Sequence, residues 1–136
     1  EHRSAMIRFA VGLLEKQKIA VHRDSKRSWL HMDDGVVAME RALSVQGYEA
    51  INIGHPKVIS TEYIAEYMCR LLGPEYKKYI ELIELPQRMT LEKWPCLEKQ
   101  KNRLRLEPTI SIEMGIQRVL AVVQKELEFK KQARCP

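Results

Sequence analysis

Between Arg27 and Leu43 the chain changes its hydrophobic period within a few residues, which confines it to folds in which a strand feeds directly into a helix. Arg27, Trp29 and His31 fall on one side of an extended chain, and Ser28, Leu30 and Met32 on the other. Asp33 or Asp34 then offers a carboxylate to the open N–H groups of a helix start. Val36, Met39 and Leu43 follow at i, i+3 and i+7, one helical face. A cationic, aromatic-backed strand pinned to the base of a helix points to an α/β architecture.

The flanking sequence extends that pattern. Ser4 to Glu15 reads as a helix with Met6, Ala10, Leu13 and Leu14 on one face and Ile7 and Phe9 at its edges; Gly12 lies inside it. Ile19 to His22 is a short strand, and the polar turn Arg23-Asp24-Ser25-Lys26 would fold it as a hairpin onto the Arg27 strand. Beyond Gly47, the apolar run Ala50, Ile51 and Ile53 suits a parallel strand covered on both faces. Ser60 caps a helix with Glu62 in its first turn, a stripe of Ile64, Met68, Leu71 and Leu72, and a stop at Gly73-Pro74.

A polar link from Glu75 to Lys78 leads to a strand over Tyr79 to Leu85 and a loop at Pro86 to Thr90. A weak helix spans Leu97 to Leu104, since Pro95 bars helix through its own position. Ser111 caps the strongest helix in the chain, with Ile112, Ile116, Val119, Leu120, Val123 and Leu127 in one stripe, and Lys130 to Pro136 reads as a frayed tail.

The 136 residues make one domain, and 45% hydrophobic with 30% charged residues exclude a disordered chain. No apolar run approaches the roughly 18 residues of a membrane helix. Cys69, Cys96 and Cys135 are odd in number and widely spaced, which argues against a disulfide framework and for reduced thiols in a cytoplasmic protein. His2, His22 and His55 have no metal-ligand spacing. The net charge of +5 permits attraction to nucleic acid, acidic lipid or phosphorylated small molecules without selecting among them. Between Lys93 and Arg105 the basic run is diluted by Glu98 and has Trp94 as its one aromatic, so a solvated helix face is favoured over a nucleic-acid track. The chain starts at Glu1 without Met, and the expectation is a piece of a longer protein.

Arg27-Ser-Trp29-Leu-His31-Met32-Asp33-Asp34 resembles a segment of the extended short-chain dehydrogenase/reductases, the NAD-dependent nucleotide-sugar epimerases and dehydratases. That family carries Arg-x-aromatic-x-(Tyr/His)-(Val/Met)-Asp-Asp before a helix in its C-terminal part. The later order agrees. Asn52-Ile53-Gly54 precedes a helix beginning at Ser60, Pro86-Gln87-Arg88 matches a Pro-x-Arg loop, and Leu104-Arg105-Leu106-Glu107-Pro108 stands where the family has Leu-Gly-Trp-x-Pro, with Gly and Trp both replaced. The resemblance implies an α/β fold, the C-terminal part of a Rossmann-type enzyme with short strands and four to five helices, the cofactor-binding half being absent. No glycine-rich turn with G-x-G-x-x-G spacing exists, and the residues four after each tyrosine are Asn52, Tyr67, Leu71, Ile80 and Ile83, so no Tyr-x-x-x-Lys pair exists either.

The resemblance therefore implies a substrate-binding region, residues 1–136, of an enzyme that removes and returns hydride at the sugar of a nucleotide diphosphate sugar. NAD or NADP would serve the complete enzyme, and this stretch alone would bind neither. Arg27 and Arg88 would contact the substrate diphosphate, for which an arginine fork is well shaped. His31 would touch the sugar or serve as a hydrogen-bonded structural residue; Trp29 would stack on a base or pack in the core. The Ala50–Ile53 strand would leave an open sheet edge, so the chain is expected to homo-oligomerise or to associate with an N-terminal half. The rival reading is a free-standing, non-catalytic basic module for nucleic acid or a protein partner.

Overall fold

The computed structural model describes residues 4–133. It contains five α-helices: α1 (Ala5–Leu14), α2 (Met32–Ala42), α3 (Thr61–Leu72), α4 (Glu98–Leu104) and α5 (Ile112–Gln132). The short strands are β1 (Ile19–His22), β2 (Lys26–Ser28), β3 (Val58–Ser60), β4 (Ile80–Ile83) and β5 (Glu92–Lys93), with a 3-10 turn at Pro74–Tyr79. His2 and Cys135 lie outside the described residues, as does the end of the expected tail. Lys130 to Gln132, placed in that tail by sequence, continue α5.

The main core gathers α1, α3 and α5 around β1. Leu13, Val21, Ile64, Met68, Cys69 and Ile116 are fully buried there. The α5 stripe forms as its spacing requires: Ile112, Ile116, Leu120 and Val123 are buried, with Val119 and Leu127 packed at the margin. Ser60 and Ser111 cap their helices, accepting from Tyr63 N–H at 3.0 Å and from Met114 N–H at 3.2 Å. Phe9, expected at an edge of α1, is in the core, and Leu71 of α3 is 43% exposed. Gly12 has a packing reason: a Cβ there would run into the Ile19 side chain of β1. Helix α1 can lie against β1 only because this position has no side chain.

Three sequence expectations fail. The hairpin does not form. β1 pairs in parallel with β4, whereas β2 lies between β3, antiparallel, and β5, parallel. Asp24, at φ 55°, turns the chain from one sheet to the other. Strands β3 and β5 escaped the sequence reading because three and two residues are too few to show a period.

Second, residues 50–53 belong to no strand. They are tethered by side chains: Lys99 Nζ donates to Ala50 O (3.1 Å), Asn52 Nδ2 to Cys96 O (3.4 Å), and Gly54 N–H to the buried Gln100 Oε1 (2.7 Å).

Third, α2 turns the other way. Its buried residues are Asp34 and Ala38, the latter packed with Leu104 and Leu106 in a small second core, while Val36, Met39 and Leu43 face out. The cap is His31, whose Nδ1 accepts from Asp33 N–H at 3.2 Å, and not Asp33 or Asp34. Tertiary partners decided both. Asp34 is 4% exposed and accepts from Thr109 N–H (3.1 Å), Thr109 Oγ1–H (3.0 Å) and Ile110 N–H (3.1 Å), while Asp33 pairs with Arg118 at 2.9 Å.

Candidate functional site

A cleft of about 560 Å³ opens where β2 and β5 end, a size that suits a small ligand. Arg27 and Ser28 supply one side, Glu92, Lys93, Trp94 and Pro95 another, and Ile53 a third. The parallel register of β2 and β5 sets Arg27 opposite Lys93. Ser28 fixes the wall nearest Ile53: its hydroxyl donates to His55 O and accepts from His55 N–H, both at 2.8 Å. Gly54 lies close to that hydroxyl and to Pro95, where a Cβ would not fit.

Arg27 is held by the loop it borders. Its Nη1 donates to Lys26 O (2.7 Å) and Leu91 O (2.9 Å), and its Nη2 to Thr90 O (2.8 Å). A guanidinium has five N–H donors. The Nε–H and one N–H on Nη2 have no partner among the described residues. The side chain is therefore oriented by backbone carbonyls while it keeps two donors, the number a phosphate fork uses. Arg88 sits in the turn closed by Met89 N–H donating to Pro86 O (2.8 Å), two residues before Thr90, and is exposed. Arg27 and Arg88 are thus joined through one short loop, a link that sequence alone did not reveal.

The other two candidates lie apart from the cleft lining. Trp29 packs against the main core and its Nε1–H donates to Ile59 O at 3.1 Å. His31 caps α2, and its ring lies 3.5 Å from where a Cβ on Gly115 would stand. Trp94 and Lys93 were not singled out as cleft residues, because only the β2–β5 pairing, 66 residues apart in sequence, brings them to Arg27; Ile53 reaches the cleft through the Ser28–His55 hydrogen bonds.

Charge around the site is paired rather than massed. Lys26 Nζ lies 2.7 Å from Glu92 Oε1, and that hydrogen bond pushes the lysine pKa up. Within the basic run, Lys99 and Arg103 both reach Glu49, at 3.3 and 2.8 Å, and their hydrogen bonds hold its carboxyl below the usual range. Among the described residues no three His, Cys, Asp or Glu side chains gather as a metal site, and no helix is long and apolar enough to cross a membrane.

Strands too short to stand alone, five helices and a clamped arginine cleft match, in fold and in sequence likeness along the chain, the C-terminal portion of extended short-chain dehydrogenases/reductases of the NAD-dependent nucleotide-sugar epimerase/dehydratase type. No protein-family model matches the chain. The chain is 30% identical over 134 residues to UDP-glucuronate 4-epimerase of Thermodesulfobacterium geofontis (strain OPF15), covering 96% of this chain and 41% of that protein. It superposes with a TM-score of 0.80 and 26% identity on dTDP-glucose 4,6-dehydratase from Bacillus anthracis str. Ames in complex with NAD, over 92% of this chain and 40% of that one. UDP-glucuronic acid 4-epimerase from Bacillus cereus, in complex with UDP-glucuronic acid and NAD, shares the fold with a TM-score of 0.82 at 19% identity, over 91% and 40%. The chain spans about 40% of the length of the relatives it matches.

Proposed function

We propose that this chain is the substrate-binding part of an NAD-dependent nucleotide-sugar epimerase/dehydratase, and that the cleft beside Arg27 takes the diphosphate of a nucleotide sugar. The observation that carries this reading is the Arg27 guanidinium. Three backbone carbonyls fix it at the cleft, and two donors remain for phosphate oxygens. Arg88, on the clamped loop, is the second phosphate contact. Binding of this kind orients a substrate for chemistry without performing it.

The glycines at 12, 35, 47, 54, 73 and 115 lack the spacing of a pyrophosphate-binding turn at a helix N-terminus, which supports a reading in which the NAD site lies outside this stretch. Its contribution would be grip and orientation, in a complete enzyme that removes and returns hydride at the sugar. Trp29 and His31 support the site from behind, one through the core and one through the start of α2.

Titration of the chain with UDP, followed by backbone amide NMR shifts, tests the reading. Saturable shifts should centre on residues 27–28 and 86–95. Arg27→Ala should weaken binding about tenfold or more, the effect of losing a charge-assisted fork. Unsaturable shifts, or equal affinity in Arg27→Ala, would overturn it. A loss that is small and steeply salt-dependent, with duplex DNA binding the chain more tightly than UDP, would favour the basic-module reading.

A further inference from the structure

Where the end of α2 meets the end of α4, a second cleft of about 340 Å³ is lined by Arg41, Lys101, Arg105 and Glu107. None of these residues lines the cleft beside Arg27. Three cations face one carboxylate. That carboxylate is a weak counterweight: Glu107 lies 3.9 Å from Lys101 Nζ, and both side chains are largely exposed. Arg41 and Arg105 have no carboxylate partner among the described residues. Their neighbours on α4 do, since Lys99 and Arg103 share Glu49.

Arg41 is held as Arg27 is held. Its Nη1 donates to Leu104 O at 3.2 Å and to Arg105 O. Backbone carbonyls thus orient a guanidinium beside a cleft at both places. The contact also covers the carbonyl end of α4, which would otherwise repel an anion. The Nε–H and the two N–H groups on Nη2 of Arg41 have no partner among the described residues.

Arg105 carries the second observation. It ends α4 at φ 49°, the left-handed region where a side chain is disfavoured. Receiving Arg41 takes only its backbone carbonyl. Its guanidinium makes no hydrogen bond or ion pair among the described residues, so no internal contact offsets the backbone strain. Strain held without an internal partner points to one from outside.

We propose that the cleft between Arg41 and Arg105 is a second anion site, independent of the one beside Arg27, and that it takes a diphosphate group. The two arginines are neighbours through the Arg105 carbonyl, and each fork suits one phosphoryl group. Lys101, on the last turn of α4, adds a third positive charge. A lone carboxylate would engage one fork only. A nucleic-acid backbone would need a longer unpaired basic surface, and Glu49 neutralises the adjacent Lys99 and Arg103.

Titration with inorganic pyrophosphate, at constant ionic strength and without divalent cations, tests the proposal through backbone amide NMR shifts. Saturable shifts should appear at residues 41 and 101–107. They are read separately from any shifts at residues 27–28 and 86–95, so failure of either site leaves the other standing. Inorganic phosphate should bind about tenfold or more weakly, because it engages one fork. Arg105→Gly should weaken pyrophosphate binding about tenfold or more; it also relieves the left-handed strain, so unfolding would not account for the loss. Glu107→Gln should tighten binding about two- to threefold by removing the one negative charge. Arg27→Ala, and Lys125→Gln on α5 as a control for net charge, should leave these shifts and their midpoint unchanged. Four results would each overturn the proposal: shifts that do not saturate or that chloride reproduces, equal affinity for phosphate and pyrophosphate, wild-type affinity in Arg105→Gly, or an equal loss in Lys125→Gln.

Discussion

Replacing Asp34 by Ala should destabilise the protein by about 2–4 kcal/mol, more than any other single change at a polar residue of α2. The carboxylate is 4% exposed and accepts three hydrogen bonds from Thr109 and Ile110, joining α2 to the segment that leads into α5. A buried donor left unsatisfied costs roughly 1–3 kcal/mol. Ile110 is 8% exposed, so its N–H would bear the full penalty; Thr109 is exposed, and water would recover part of its loss.

The protonation of Asp34 gives the same change a pH signature. Burial pushes its pKa up, but the N–H groups of Thr109 and Ile110 and the Thr109 hydroxyl together outweigh burial and hold it below the ordinary 3.8. A carboxyl with a lowered folded pKa contributes stability fully above its unfolded value and loses it as pH falls through the folded value. Urea unfolding at pH 7 and at successively lower pH down to 3, for wild type and Asp34→Ala, measures this directly. The gap between the two proteins should be full at pH 7 and narrow below about pH 4. A loss under about 0.5 kcal/mol at pH 7, which is the range of an unremarkable surface change, would refute the assignment of Asp34 as the α2 anchor.

Three further outcomes follow from packing and backbone geometry. Gly12→Ala should destabilise by about 1–3 kcal/mol in thermal or urea unfolding, because the new Cβ overlaps the Ile19 side chain; the penalty should shrink in an Ile19→Ala background. Arg105→Gly should stabilise by about 0.5–1 kcal/mol, since Arg105 ends α4 at φ 49°, the left-handed region where a side chain is disfavoured; an unchanged or lower unfolding midpoint would show that the arginine side chain earns its place there. In the folded protein, mass-spectrometric mapping of thiol labelling should find Cys96 modified quickly and Cys69 only on unfolding. Cys96 is exposed, whereas burial pushes the Cys69 thiol up in pKa and shields it.

Helices with long, regular apolar stripes could be read from the residues. The α5 stripe, both serine caps and the Gly73-Pro74 stop all follow from local periodicity and hydrogen-bonding chemistry. The motif order from Arg27 to Pro108 was also local information, and it was enough to suggest the fold. Arg27 and Arg88 could be named as a pair, but not joined, because the Thr90 and Leu91 carbonyls that connect them lie more than 60 residues from Arg27.

What the sequence determined by itself was therefore whatever depends on neighbours within one or two turns: where α1, α3, α4 and α5 lie, and which residues cap two of them. The tertiary structure decided what depends on distant partners. It sent β1 to β4 rather than to β2, because parallel pairing needs a partner supplied from far along the chain. It rotated α2 so that Asp34 could satisfy two backbone amides, leaving the apolar row outward. Three hydrogen bonds at the buried carboxylate set that rotation, and periodicity records only which residues share a face, not which face is turned inward.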